Sequence, residues 1–498
     1  MKKLKFSQLK MGAAISYFTM AFNIIAGLLY TPWMVEKIGQ SDYGLYTLAN
    51  SLIAIFMLDF GLGSAVSRYI SKYRAEGKYE AISNIMGIIY KLYIIIDIAI
   101  LAVLTVVYFF VGTIYKELTP DELEKFRTLY LIVAGYHIIA FPFSPLDGIL
   151  NAYEKFIQLK LCNLLYRVLS VVAVVVVLFF SSNVAVVIFT NVMSHLVTVL
   201  AKYILTKRYV PLKVNFKASG GALYKTLFSF TLWTTVINIM QRFTHSFAPS
   251  VLGMTAGAIQ IALYAPAVTL EGYFYTLGTS VNGLFLPKVS RYIADNEEHK
   301  ILQLMIKVGR YQSMLLGLAF IGFVCVGKEF MTLWMGPAYT DTYYLAVVIL
   351  LPTLISATQQ IAKTTVIAKK LIKYQAWCMT FTGVMGLLVS YFLSMKIGAM
   401  GVCIGTAAAS LGNIAFMNII YRKKAGINIF EFYKKCYLKL IPCYGVVLLI
   451  SHLATDAISL AGWLGLAVKA AIVIFVFAVI MFFFYVTKSE KKMLLRRK

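Results

Sequence analysis

Hydrophobic residues run along this chain in stretches of about twenty, each closed by a polar and often basic connection. Read with a span of that length, the pattern predicts helices near 11–30, 44–67, 85–112, 127–150, 156–180, 184–205, 225–250, 258–286, 302–326, 342–362, 374–395, 399–421, 436–453 and 463–487. The fifth and sixth are joined only by Ser181-Ser182-Asn183. The runs are long enough to cross a hydrocarbon layer of about 30 Å as helices, and the alternation that a membrane barrel requires is absent. An even number of crossings, fourteen, puts both termini on one side.

Composition agrees with the pattern. Sixty per cent of the residues are hydrophobic and 14% are charged, as expected of a chain that satisfies its backbone within each segment inside a bilayer. The fold class expected is therefore an all-α polytopic membrane protein.

The net charge of +26 first suggests a polyanionic partner, but the basic residues follow the topology. They crowd into alternate connections: Lys2, Lys3, Lys5 and Lys10; Arg68, Lys72, Arg74 and Lys78; Lys202, Lys207, Arg208, Lys213 and Lys217; Arg422, Lys423 and Lys424; and the tail from Lys488 to Lys498. The opposite connections hold six, Lys37, Lys116, Lys125, Arg127, Lys328 and Lys396, and the spans themselves hold Arg167, Arg242 and Lys469. By the positive-inside rule the rich side is cytoplasmic, so both termini are cytoplasmic in a multi-pass cell-membrane protein. No connection is long enough to hold a basic soluble domain, so no nucleic-acid partner is expected. The basic start resembles a signal peptide, but the run ends in Tyr-Thr-Pro-Trp without a small-residue cleavage pattern, and it reads as an uncleaved first helix. The six cysteines, Cys162, Cys325, Cys378, Cys403, Cys436 and Cys443, have no CxxC spacing, and packing roles are expected rather than disulfides or a metal site.

The pentapeptide VSRYI occurs twice, at 66–70 and 289–293, on each occasion at the cytoplasmic end of a span, the second and the eighth. Upstream, GQSDYGLYTLANSL at 39–52 aligns with GAIQIALYAPAVTL at 257–270 on glycine, Leu-Tyr, alanine and leucine. A shift of six helices preserves orientation, so the pattern predicts two parallel six-helix lobes, 1–213 and 214–424, with helices 13 and 14 and a basic tail appended at 425–498.

LLYTPWMVEKIGQSDYGLYTLANSL, followed by LDFGLGSAVSRYISKYRAEGK, resembles the amino-terminal signature of Wzx-like polysaccharide and O-antigen flippases of the multidrug/oligosaccharidyl-lipid/polysaccharide (MOP) exporter superfamily. The specific likeness covers about the first 80 residues, and the six-plus-six-plus-two pattern, MATE-like in outline, extends it along the chain. The resemblance implies a flippase that moves a polyprenyl-pyrophosphate-linked oligosaccharide across the cytoplasmic membrane, with the lipid bilayer, the lipid-linked substrate and the polysaccharide polymerase machinery as partners. It carries no catalytic motif to transfer, and no enzyme activity or cofactor is expected.

Charged residues inside spans are the candidate site residues, since each costs about 2.5–3.5 kcal/mol on insertion scales and is expected to face a cavity or a partner. Arg242 lies about 26 Å along its helix from Lys225 and shares a face with Asn238 and His245. A guanidinium there can hold a pyrophosphate through its planar fork, or can snorkel outward. Arg167 and Lys160 lie nearer the cytoplasmic face, where a lipid-linked pyrophosphate arrives, and snorkelling accounts for Arg167 almost as well. Asp97, Glu271 and Asp59 are candidates for coupling to a proton or sodium gradient; Asp59 can equally fix a packing corner before Phe60-Gly61. Lys469 is expected to snorkel. Two other readings stay open: a drug or cation antiporter, which needs a smaller, acid-dominated site, and a membrane glycosyltransferase, ligase or polymerase, which commonly carries a large outer loop or domain. The longest outer connections here, near 113–126 and 327–341, are short.

Overall fold

The computed structural model describes residues 2–57, 60–210, 214–218, 221–279, 285–487 and 491, with side chains for all of these except 2–10, 12–14, 221–231 and 245. Every described secondary-structure element is helical. In order they are α1 (Lys2–Ile38), α2 (Gln40–Phe56), α3 (Leu62–Ala75), α4 (Tyr79–Ile114), α5 (Pro120–Ala140), a 3₁₀ turn (Phe141–Phe143), α6 (Pro145–Ala152), α7 (Phe156–Phe180) and α8 (Val184–Tyr209). There follow α9 (Gly221–Ser246), α10 (Ala248–Thr255), α11 (Gly257–Thr279), α12 (Leu286–Ala294), α13 (His299–Met335), α14 (Thr342–Thr358) and α15 (Gln360–Ala368). The chain closes with α16 (Ile372–Lys423), α17 (Ile429–Tyr437), α18 (Leu440–Asp456), α19 (Gly462–Ile480) and a π turn (Met481–Tyr485).

By length and composition alone, nine described helical stretches can cross a membrane, and α14–α15, bent by 53°, makes a tenth. The remainder follow from geometry. At about 1.5 Å per residue, the 52 residues of α16 would reach about 78 Å, far beyond one bilayer. Ile397 and Gly398 break it, Gly398 with φ 54°, and the two halves fold back on each other. Small residues let them approach: a Cβ on Gly405 would stand 2.5 Å from the Ser390 nitrogen, and one on Gly401 would stand 2.4 Å from the Leu393 carbonyl carbon. With α2–α3, α9–α10 and α11, the expected pattern of about fourteen spans is accounted for.

Several spans differ from the expectation in being broken. The second, read as one helix over 44–67, is two: α2 ends at Phe56 and α3 begins at Leu62, with Phe60 and Gly61 in the left-handed region. The fourth, expected over 127–150, starts at Pro120, where Thr119 and Glu122 form a capping box, and breaks at the 3₁₀ turn before α6. The tenth breaks between α14 and α15. By the six-helix shift the broken fourth span corresponds to the broken tenth. Two aligned glycines share a conformation: Gly39 and Gly257 both have positive φ, 87° and 83°, at the starts of α2 and α11. The two VSRYI copies lie on the short helices α3 and α12, with Val66 and Val289 both fully buried.

The chain divides into two compact units, Met1–Ala262 and Leu263–Lys498. In the first, α7 packs on α1 and α8, α2 on α5, and α3 on α6, while α9 lies against α2 and α3. Leu62, Val66, Ile70, Ile85, Ile89, Tyr93, Phe141 and Ile149 form a core cluster there. In the second unit, α17–α19 are built into the core rather than laid on its outside. Phe432, Cys436, Tyr437, Val473 and Phe477 share one cluster with Met305, Ile361, Val366 and Tyr421. Polar bonds lock the same region: Arg310 donates to the Tyr485 carbonyl at 2.9 Å, and Gln359 donates to Tyr433 at 2.7 Å and to Asn418 at 2.9 Å.

Candidate functional site

The first unit contains a cavity of about 1250 Å³. One wall is the polar face of α3, where Ser64, Ser67, Arg68, Ser71 and Arg74 recur at helical spacing. The opposite face of the same helix, Leu62, Ala65, Val66 and Ile70, is buried in the core. A short amphipathic helix therefore has its apolar side fixed by packing and its serine and arginine side turned to the cavity. Asp147 and Asn151 of α6 line it, as do Tyr136 of α5 and both His195 and Lys202 of α8.

Several charges of this cavity are held by neighbours. Lys202 pairs with Asp147 at 2.8 Å, and Arg74 donates to the Ala152 carbonyl at 3.1 Å while its guanidinium stands 4.7 Å from the Tyr153 ring centre. Arg68, Arg74 and Lys202 face two lining carboxylates, Asp147 and Glu154, so the balance is cationic by one. Serine hydroxyls and the Asn151 amide supply uncharged donors and acceptors. Such a lining suits a hydrated, hydroxyl-rich group that carries negative charge.

Where Tyr136 and His195 line the cavity, a polar cluster adjoins it. The His195 ring lies 3.7 Å from that of Tyr166 and 5.4 Å from that of Tyr136. Asn191 accepts from Ser170 at 2.7 Å and from Tyr166 at 3.3 Å, and donates to Asn50 at 3.4 Å. Arg167 is exposed on α7, with its guanidinium 5.4 Å from the Tyr166 ring centre. Lys160, two turns earlier, is exposed as well.

The other expected residues are dispersed. On α9, Asn238 is half-buried and Arg242 is exposed, whereas the side chain of His245 lies outside the described residues, as does Asp59. Glu271 of α11 is half-buried and accepts from Thr353 of α14 at 2.8 Å. Asp97 of α4 is buried, and its Oδ1 lies 3.5 Å from Nε2 of His137 on α5. None of the six expected residues whose side chains are described lines the cavity; the walls described come from other residues. One correction concerns Lys469. It does not snorkel: its ammonium is 2.7 Å from Glu329 of α13, and both side chains are largely covered, because an acid on the neighbouring helix is within reach.

Two signals for these residues are present in the sequence. Ser64, Ser67, Arg68, Ser71 and Arg74 form a polar stripe at helical spacing, around the first VSRYI copy. His137, in the apolar run Tyr-His-Ile-Ile-Ala, is an ionisable residue within a span, and a search confined to Asp, Glu, Lys and Arg misses it. Among the described residues no cluster of three His, Cys, Asp or Glu side chains can hold a metal ion, and all six cysteines are free thiols.

Comparison with known proteins places this geometry in context. The profile of a family described as polysaccharide biosynthesis protein matches residues 11–281. No curated protein matches the sequence. Among solved structures, the lipid II flippase MurJ in an inward closed conformation is similar with a TM-score of 0.74 at 16% identity, over 97% of this chain and 99% of that one. An inward-facing multidrug resistance MATE family transporter of the MOP superfamily is similar with a TM-score of 0.66 at 14% identity, over 85% and 99% of the two chains. A eukaryotic MATE transporter reaches 0.58 at 13% identity, over 87% and 98%. The chain therefore belongs to the polysaccharide biosynthesis protein family, and it has the multi-pass helical fold of these solved structures.

Proposed function

We propose that this protein flips a polyprenyl-pyrophosphate-linked oligosaccharide across the cytoplasmic membrane, by alternating access, for export of a cell-surface polysaccharide. The observation that carries the reading, within the family already established, is the chemistry of the cavity: Arg68, Arg74 and Lys202 beside serine and asparagine donors. A sugar headgroup needs many hydrogen-bond partners, and a pyrophosphate needs cations in a site with little competing water. The prenyl chain needs neither and stays in lipid. A cation antiporter requires the opposite balance, an excess of carboxylates.

In this reading the basic connections face the cytoplasm, both termini are cytoplasmic, and the cavity lies at the basic end of the first unit, where a substrate made on the inner leaflet arrives. The lobes are 1–213 and 214–424, followed by 425–498. Arg242, Asn238 and His245 on α9 and Arg167 and Lys160 on α7 belong to the path of the headgroup beyond the cavity, and Asp97, Glu271 and Asp59 to its coupling to an ion gradient. The protein acts without making or breaking a covalent bond, and its product passes to the polymerase machinery outside.

The test is reconstitution. Vesicles containing the purified chain and a polyprenyl-pyrophosphate-linked oligosaccharide on the inner leaflet are treated with an impermeant glycosidase. Time-dependent loss of protected sugar above that of protein-free vesicles is expected. Protection equal to that of empty vesicles, together with uptake of a lipophilic cation by the same preparation, would overturn the reading.

A further inference from the structure

Asp97 and His137 are the most deeply buried ionisable pair described in the first unit. Asp97 is 9% exposed and His137 1%. Asp97 Oδ1 and His137 Nε2 are 3.5 Å apart, and neither that oxygen nor either ring nitrogen has a hydrogen-bond partner among the described residues. The groups around them are aromatic. The His137 ring stacks on Phe141 of the 3₁₀ turn at 5.0 Å and meets the edge of Phe56, at the end of α2, at 6.2 Å.

The other titratable groups near the pair are few. Tyr93 lies one turn before Asp97 on α4, with its ring 5.3 Å from Phe141; Tyr136 precedes His137 on α5 and faces His195 of α8. Asp59 lies outside the described residues. Among the described residues, Asp97 and His137 form an ion-pair contact with each other and with no other charged side chain.

We propose that Asp97 and His137 together bind one exchangeable proton, which adds His137 to the coupling role given above to Asp97 and is tested without an oligosaccharide substrate. An ion in such surroundings costs several kcal/mol when nothing offsets it. With no proton the pair carries one negative charge, and with two it carries one positive charge. With a single proton on Asp97 Oδ1, facing His137 Nε2, neither group is charged, and that is the form apolar surroundings favour. One proton is therefore the stable occupancy while the pair stays covered, and the pair titrates as a unit. The proton is gained from water and returned to water when the pair is uncovered, and no covalent bond to carbon changes. Sodium fits poorly, because an imidazole and one carboxylate leave it short of the several oxygen ligands a hard cation takes.

The place also suits an exchange site. The pair sits beside two broken spans: α2 ends at Phe56 before α3, and α5 ends at Ala140 before α6. Both α3 and α6 line the cavity.

Infrared difference spectra of the full chain in lipid nanodiscs, recorded from about pH 5 to about pH 8, test the site. The wild type should show the carbonyl stretch of a protonated carboxylic acid. That band should be lost in Asp97→Asn, and in His137→Gln the pH at which it disappears should move by about one unit or more. A second measurement, nuclear magnetic resonance of ¹⁵N-histidine-labelled protein, should find a histidine signal, absent in His137→Gln, that changes at the same pH as the band. This keeps the test decisive if Asp97→Asn does not fold. A band unchanged in Asp97→Asn, no such band in the wild type, or a band indifferent to His137→Gln would each overturn the proposal. No substrate enters these measurements, so their failure is distinguishable from failure of the flippase reading.

Discussion

Replacement of Gly148 by alanine should damage the protein more than its size suggests. Gly148 is on α6, where that helix crosses α3; an added Cβ would lie 2.5 Å from the Gly63 carbonyl oxygen and 3.0 Å from the Cβ and Cγ1 of Val66. A comfortable carbon-to-oxygen approach is about 3.3 Å, so the helices must part by about 0.8 Å relative to the 2.5 Å contact. The obstructing atom is backbone and cannot rotate away. Overpacking of this kind costs about 1–3 kcal/mol. Alanine also gains about 1 kcal/mol of helix propensity over glycine, and a control cancels that gain. Gly135 on α5 has nothing within 4 Å of where its Cβ would be. Gly135→Ala should therefore be the more stable of the two by about 1–3 kcal/mol, read as the higher apparent melting temperature in nanodiscs. Because Gly63 and Gly148 both line the cavity, Gly148→Ala should also slow transport, and adding Val66→Ala should not restore it, since the carbonyl contact remains. A Gly148→Ala protein that melts at or above Gly135→Ala and transports normally would refute the tight α3–α6 crossing.

Four further outcomes are expected. Arg68→Ala should reduce transport about 10- to 100-fold at normal abundance, the loss of a charge-assisted bond worth about 1.5–3 kcal/mol; Arg68→Lys should fall between the two, and equal flux in all three would remove Arg68 from the site. Lys469→Met leaves Glu329 without its 2.7 Å partner and should destabilise toward the lower end of about 3–5 kcal/mol; the double variant with Glu329→Gln should recover most of it, and a single variant as stable as the double would show the pair to be unimportant. A membrane-impermeant thiol reagent should label a cysteine placed at Asp121 or Thr340 in intact cells and miss one at Lys424, and the reverse pattern would invert the topology. In the reconstituted system, a transmembrane pH gradient should change wild-type flux and leave Asp97→Asn flux unaffected; a wild type indifferent to every gradient would make Asp97 a packing or sugar-binding group.

Much of the architecture was legible in the chain because a bilayer imposes a local rule. Each crossing must supply its own apolar length and satisfy its own backbone, so a window of about twenty residues suffices to find α4, α7, α8 and both halves of α16. The alternation of basic connections and the offset of the two VSRYI copies are also properties of sequence order alone. The breaks were legible only as local hints, a packing corner at Asp59 before Phe60-Gly61 and prolines at 142 and 145, because a hydropathy window averages over them and the turn itself resides in backbone dihedrals. The cavity was not legible. Arg68, Asp147, His195 and Lys202 come from α3, α6 and α8, and only the packing of those helices makes them neighbours. The same holds for Asp97 with His137 and for Lys469 with Glu329. Hydropathy tells which residues enter the membrane, but the energy of a buried charge depends on what stands within a few ångströms of it, and in a helical bundle that neighbour belongs to another helix.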